Sequence, residues 1–264
     1  MMPIEDANSK DTDAYVAYSQ VGAIAHIKLR RSEKRNAITP GMAERLERAL
    51  ESIEVSPDIR VGIVSSEGPV FCSGADLNYV AGGEGHRLST KNGGFAGFVR
   101  YPRTKPLIAA IQGSALAGGF EIALACDIIV AEKSARFGLP EVTRGIIANG
   151  GGLLRLSSVL PSALALDLIL TGRTIDAEEA ARFGIVSRVV ADGAAADVAE
   201  TIAEQLATFS PEAVQASLRV ARVAGYSISD TLWDLSSAVA SRLRASNEAV
   251  RLSKEFVQQE EVKP

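Results

Sequence analysis

The sequence predicts an α/β protein with a helical C-terminal region. Three observations carry that prediction. Leu107–Ile111 is a short apolar run of strand length, 113–119 is small and glycine-rich, 120–125 has helix-forming composition, and 127–130 is strand-like again. Strand–turn–helix units of this form recur at 15–53, 61–80 and 107–125, although their sequences are not alike. From Asp192 onward only helical patterns remain, so an all-helical segment follows a strand-and-helix core.

The elements follow in order. Residues 15–20 and 23–29 flank Val21-Gly22 as a hairpin. Thr39 then Pro40 reads as an N-cap with proline at the first helical position. Met42, Leu46, Ala49, Leu50 and Ile53 continue at helical spacing. Residues 61–65 form a short strand and 67–75 a loop, and Asp76 caps a following helix. Residues 79–97 are rich in glycine and charge and read as the most mobile segment. Within the region before Pro102, 95–101 reads as helical. After the central unit, 135–137 is a short strand and Pro140-Glu141 opens a tight region. Asn149-Gly-Gly-Gly152 leads into an apolar run, 153–160. Residues 163–170 are expected as a buried helix ending near Gly172. Asp176-Ala-Glu-Glu179 has capping-box spacing, 185–190 is a strand, and Ser210-Pro211-Glu212 starts another helix.

Composition narrows the function. A chain of 264 residues can bury a core, and 47% hydrophobic with 23% charged residues suits a soluble globular protein. A net charge of −4 gives no basis for nucleic acid as a partner, and no apolar run approaches a membrane span. Residues 1–12 are polar and acidic without a signal-peptide core and are expected as a disordered tail. Cys72 and Cys126 form no metal or redox spacing and fit a reducing cytoplasm. His26 lies in a strand-like run and His86 in a glycine-rich loop, so neither points to a metal site or a catalytic triad.

What remains for chemistry is carboxylates among glycines. The phosphate-binding motifs and the nucleophile elbow are absent, and Ser73 and Ser114 lie near glycines without an identifiable base. Glu121 sits in the first turn of the helix that follows Gly118-Gly119, where free N–H groups polarise a carbonyl oxygen. An acid also suits a first turn for purely structural reasons. Glu141 follows Gly138-Leu139-Pro140, twenty residues on, so only the fold can bring the two acids together. Two carboxyls with different environments can move protons in both directions. A second glycine turn, Cys72-Ser73-Gly74-Ala75-Asp76, has the same form as the first, and two such turns can give one N–H each to one oxygen.

In four blocks, the chain resembles the crotonase, or enoyl-CoA hydratase/isomerase, superfamily from about Val21 to about Val190. Arg30-Arg-Ser-Glu-Lys-Arg-Asn-Ala-Ile38 looks like the family's first CoA-contact loop, and Phe71-Cys-Ser-Gly-Ala-Asp-Leu77 like its first oxyanion turn. Ala117-Gly-Gly-Phe-Glu-Ile-Ala-Leu-Ala-Cys-Asp127 looks like its second oxyanion turn. Phe137-Gly-Leu-Pro-Glu141, with Gly145 and Gly151-Gly152, looks like its second catalytic segment.

The resemblance implies a crotonase-like spiral of ββα units over 13–195 and a helical oligomerisation region over 196–264. It implies an oxyanion hole from the backbone N–H groups of Ala75 and Gly118 and paired catalytic acids, Glu121 and Glu141. Lys34, Arg35, Ala37, Ser73, Asp76, Leu77 and Asn149 are the expected substrate contacts, with Arg30 and Arg31 as alternative phosphate ligands. The implied activity is an enoyl-CoA hydratase-type lyase without metal or separate cofactor, coenzyme A being part of the substrate. A Δ3-Δ2 isomerase, a carnitinyl-CoA dehydratase-like enzyme and a non-catalytic acyl-CoA-binding scaffold are the alternatives; retention of both acids argues against the last. A homotrimer or dimer of trimers is expected from the stripe Leu232, Trp233, Leu235, Val239 and Leu243. Three departures stand out. Ala148-Asn149 replaces the Pro-Gly of many hydratases, Phe256-Val-Gln-Gln-Glu260 lacks a basic pair for which Lys254 or Lys263 can substitute, and 79–97, the region that shapes the acyl pocket in relatives, matches no family segment closely.

Overall fold

The structure, a computed structural model, describes residues 15–225 and 229–246 together with Arg251, Leu252 and Glu255. The expected N-terminal tail, Lys254, Lys263 and 256–260 lie outside these residues.

Strands β1 (Val16–Val21) and β2 (Ile24–Leu29) form the predicted hairpin, in register Val16 to Leu29. Thr39 caps α1 (Pro40–Val55), its side-chain oxygen accepting from the Met42 N–H at 3.3 Å, and the helix buries the predicted apolar stripe. Next come β3 (Val61–Ser66), β4 (Val70–Cys72) and α2 (Leu77–Ala81), the last capped by Asp76. A 3-10 turn, Gly85–Leu88, leads to the small hairpin of β5 (Ser89–Thr90) and β6 (Gly94–Phe95). Then follow β7 (Leu107–Ile111), β8 (Ser114–Leu116), α3 (Gly118–Ala125), β9 (Ile128–Glu132) and β10 (Arg136–Gly138). The chain continues through a 3-10 turn Pro140–Arg144, α4 (Gly152–Val159), α5 (Ser162–Thr171), β11 (Ile175–Asp176), α6 (Ala177–Arg182) and β12 (Arg188–Val190). Three helices close the described chain: α7 (Ala195–Ala207), α8 (Pro211–Gly225) and α9 (Asp230–Arg244).

The topology follows from how each unit divides its strands. β3, β7 and β9 lie side by side and parallel in a six-stranded sheet ordered β1-β2-β3-β7-β9-β12. Their partners β4, β8 and β10 lie parallel in a second sheet ordered β11-β10-β8-β4. Each unit thus lays one strand in each sheet before turning into its helix or 3-10 turn, and successive units stack as a spiral. The parallel strands of the large sheet are covered on both faces, as parallel sheets require. One face meets α1 through Leu46, Leu50 and Ile53; on the other, Ala195, Ala199 and Ala203 of α7 pack against Ile63, Ile108 and Val130. Helix α7, the first of the C-terminal helices, is therefore part of the sheet's own packing.

Several local expectations are corrected. The expected loops 67–75 and 113–119 each contain a three-residue strand, β4 and β8, too short to show a period. In place of the expected helix over 95–101, Phe95 ends β6 and 96–100 are turns, because Ala96 and Gly97 both take positive φ, 58° and 63°. The segment 79–97 is organised around the hairpin and a buried Leu88. Helix α5 buries one face only: Ala165 and Leu168 are inside, while Leu166 and Leu170 are 51% and 68% exposed. In α9 the inward face is Trp233, Ser236 and Ala240; Leu232 and Leu235 point outward.

Candidate active site

The turn before α3 is built under strain. Ala117, its N-cap, holds φ 52° and ψ −129°, a backbone conformation that a Cβ disfavours. The next residues must be glycine for space: a Cβ on Gly119 would lie 2.1 Å from the Cys72 carbonyl oxygen. On the other turn, Gly74 has φ +96°, and a Cβ there would lie 2.8 Å from the Gly118 nitrogen. The two glycine turns are thus in direct backbone contact. Ile38 bridges the first turn in parallel fashion, donating to the Gly74 oxygen at 2.8 Å and accepting from the Asp76 N–H at 3.0 Å. That pattern turns the N–H of Ala75 away from Ile38. Among the described residues the N–H of Gly118 has no backbone acceptor, because it opens a helix. Ala75 and Gly118 line one cavity of about 810 Å³.

Both acids line the same cavity. Glu121 is 3% and Glu141 6% exposed. Glu121 Oε1 accepts from the Gly152 N–H at 2.8 Å, so the start of α4 holds the carboxyl that α3 supplies. Burial pushes the Glu121 carboxyl up, opposed by the Gly152 and Gly150 N–H groups and by the charges of Arg155 and Arg244. Glu141 has fewer supports: its Oε2 is buried without a hydrogen-bond partner among the described residues. Burial first, and then the charge of Glu121, push it up to about 8. Burial thus raises both carboxyls, and the neighbouring Glu121 charge further favours the proton on Glu141.

The loop carrying Lys34 and Arg35 reaches the cavity through a 3-10 turn, Ser32–Lys34. Arg35 and Asn36 are both left-handed, φ 52° and 53°. Asn36 pins this bend: its Oδ1 accepts from the Arg31 N–H at 2.8 Å, and its Nδ2 donates to the Glu67 and Val70 oxygens. The Ser73 N–H then donates to the Arg35 oxygen at 3.0 Å, joining the loop to the first oxyanion turn. Arg31 is a strut rather than a cavity cation; it donates to Asp76 Oδ2 at 2.7 Å and to the Ala37 oxygen at 2.9 Å. Arg30 pairs with Glu67 at 2.9 Å. Ala37, Ser73, Asp76, Leu77 and Asn149 also line the cavity, so the fold brings all the predicted site residues to one place.

The sequence reading missed the part played by α9. Trp233 packs on Gly151, with the guanidinium groups of Arg100 and Arg155 4.7 and 5.8 Å from its ring centroid. Arg155 also donates to the Gly150 and Val99 oxygens, which braces the glycine run. Ser236 donates to Asn149 Oδ1 at 2.7 Å, and Arg244 lines the cavity. The i, i+3, i+7 spacing of Trp233, Ser236 and Ala240 was readable, but the leucines beside it drew the apolar argument instead. His86 is exposed and His26 lies 3.7 Å from Glu200, both away from the cavity lining; no metal-binding cluster occurs among the described residues.

Known proteins share this architecture. The family model for enoyl-CoA hydratase/isomerase matches residues 19–232. A carnitinyl-CoA dehydratase of Citrobacter koseri is 41% identical over 207 residues, 78% of this chain and 79% of that protein. Among solved structures, a carnitinyl-CoA hydratase from Mycobacterium avium superposes with TM-score 0.88 at 36% identity, covering 93% of this chain and 96% of that one. An enoyl-CoA hydratase from Mycobacterium tuberculosis H37Rv gives 0.77 at 36% identity with the same coverage. A match over most of the chain, together with two glycine turns facing one cavity, places it: the chain belongs to the enoyl-CoA hydratase/isomerase, or crotonase, family.

Proposed function

We propose that this protein is a hydro-lyase that adds water across the Cα–Cβ double bond of an enoyl-CoA thioester, or removes it in reverse. The observation that carries the reading is a pair of buried carboxyls of unequal proton affinity lining a cavity with two turned-out backbone N–H groups. The thioester oxygen accepts from the N–H groups of Ala75 and Gly118, which stabilise the enolate-like transition state. Glu121, ionised, takes a proton from water as the oxygen bonds to Cβ. Glu141, protonated, gives its proton to Cα. One water is added, nothing is oxidised or reduced, and no further cofactor is needed. The proton has moved from Glu141 to Glu121, and exchange with solvent resets the pair.

Lys34 and Arg35 are the proposed ligands of the CoA phosphates, with Asp76 and Leu77 beside the pantetheine arm. Dehydration of a 3-hydroxyacyl-CoA is the same chemistry run backwards, and the carnitinyl-CoA dehydratase relatives support that direction. An isomerase needs only one proton-shuttling acid and leaves the second buried carboxyl unexplained. A homotrimer, or a dimer of such trimers, is proposed from exposed apolar residues on three helices: Leu166 and Leu170, Val220 and Val223, and Leu232 and Leu235. Among the described residues no helix is long and apolar enough to cross a membrane, and the free Cys72 and Cys126 fit a reducing cytoplasm. The test is loss of enoyl absorbance when crotonyl-CoA is added. Absence of turnover on short and long enoyl-CoAs, with CoA-ester binding intact, would sink the reading.

A further inference from the structure

Arg244, in the last turn of α9, lines the cavity close enough to Glu121 for their charges to interact. Among the described residues it makes no hydrogen bond and no ion pair. Its helix is fixed along the cavity wall: Trp233 packs on Gly151 and Ser236 holds Asn149. Ser236 and Arg244 are two turns apart, about 12 Å along the axis, so α9 reaches well past the point where it grips Asn149. Lys34 and Arg35 sit elsewhere, on the loop joined to the Ala75 turn.

Of the cavity's acids Glu121 lies within charge range of this guanidinium, but among the described residues none hydrogen-bonds to it. Asp76 is paired with Arg31, Glu121 is held by the Gly152 N–H, Glu141 keeps its proton near neutral pH, and Glu33 sits on the Lys34 loop. Arg244 therefore reaches the acid side of the cavity with its N–H groups unspent among the described residues. A guanidinium recognises a carboxylate through two parallel N–H···O bonds, and more strongly where water is excluded. We propose that Arg244 determines the acyl specificity of this site, and that the preferred acyl-CoA carries a carboxylate at the end remote from the thioester. The proposal rests on the hydro-lyase reading and sharpens its substrate class. A trimethylammonium group in the same place would face the Arg244 guanidinium instead.

Binding and turnover are measured separately so that the two readings fail independently. Affinities for glutaryl-CoA, butyryl-CoA and 4-(trimethylammonio)butyryl-CoA are compared by calorimetry in the full chain and in Arg244→Leu and Arg244→Lys. Hydration rates are compared for glutaconyl-CoA and crotonyl-CoA. The expected result is that glutaryl-CoA binds roughly tenfold or more tightly than butyryl-CoA, a charged hydrogen bond's worth, and that Arg244→Leu abolishes the preference while Arg244→Lys keeps part of it. The kcat/KM ratio of glutaconyl-CoA to crotonyl-CoA should fall by the same factor. Equal affinity for glutaryl-CoA and butyryl-CoA, tighter binding of the trimethylammonium ester, or a preference that survives Arg244→Leu overturns the proposal, whether or not the protein turns over crotonyl-CoA. Melting temperatures of the variants confirm that each is folded.

Discussion

Replacing Glu141 by glutamine should disable the enzyme and, at alkaline pH, stabilise it. The carboxyl is raised from an ordinary 4.5 to about 8 in the folded chain. Between those values the unfolded chain has released the proton and the folded chain still holds it. A group raised in this way contributes its full stability below 4.5 and loses it as pH climbs through 8. Moving the carboxyl from 4.5 to about 8 corresponds to a loss on the order of 5 kcal/mol at most, more than half of it by pH 7. Glutamine does not titrate, so Glu141→Gln escapes that loss. Its own fixed cost, an amide beside the site where Oε2 lacks a partner, is about 1–3 kcal/mol and independent of pH. The diagnostic is therefore how the stability difference between variant and parent changes with pH. Denaturant unfolding at pH 5, 7 and 9, at one fixed protein concentration, should show the variant gaining about 2 kcal/mol or more relative to the parent. A difference constant across that range would show that Glu141 does not hold its proton, and the acid–base assignment would fall with it. In the same variant kcat should drop by about 100-fold or more while CoA-ester affinity survives, because the acid acts in the transition state. In the parent, kcat/KM should fall above pH 8 as Glu141 ionises.

Four further outcomes test the rest of the site. Glu121→Gln should cost kcat on the same scale, about 100-fold or more, and the double variant should be little worse than either single, since both acids serve one water and one substrate; near-normal turnover in either single variant would refute the pair. Gly119→Ala forces a methyl against the Cys72 carbonyl, so it should separate the two oxyanion turns, lower kcat by about 10- to 100-fold and lower the melting temperature. Lys34→Ala with Arg35→Ala should weaken CoA-ester binding by about tenfold or more, less at high salt; unchanged affinity would move the phosphate contact elsewhere. Light scattering should give a trimer mass or a multiple of it, and charges at Leu166 and Leu170 should yield monomers. A monomer mass for the parent would refute the assembly.

The fold was legible where periodicity was long enough to read. The α1 stripe, its Thr39 cap and the β7 run all appear as pattern in the sequence. The three-residue strands β4 and β8 were not legible, because their pairing is decided by neighbours far along the chain. The acids and both oxyanion turns could be named from glycine spacing and resemblance, yet their meeting depends on the two-sheet spiral. Helix α9 was visible as a helix, but its inward face was not. Ser236 and Arg244 have no apolar signature, and Trp233 finds its place only because Gly151 leaves room for the ring.

Where sequence rules fail in this chain is itself informative. Among the described residues, positive φ outside glycine occurs at Arg35, Asn36, Ala96 and Ala117. Arg35 and Ala117 line the cavity; Asn36 neighbours Arg35 and Ala96 neighbours Phe95, another lining residue. Glu141, whose buried Oε2 has no hydrogen-bond partner among the described residues, lies there too. Strain of this kind costs of order 1–3 kcal/mol per residue and persists only where the surroundings over-determine it. Here the surroundings are identifiable: Asn36 is tied at three points to Arg31, Glu67 and Val70, and Ala117 is wedged between the Gly138 carbonyl, which its N–H meets at 2.9 Å, and the start of α3. The two-sheet core supplies rigidity, and the cavity spends it on backbone N–H groups and carboxyls held ready for a reacting thioester. Stability and turnover therefore pull against each other at the same few residues, which is why a variant that stabilises the protein at high pH is also expected to silence it.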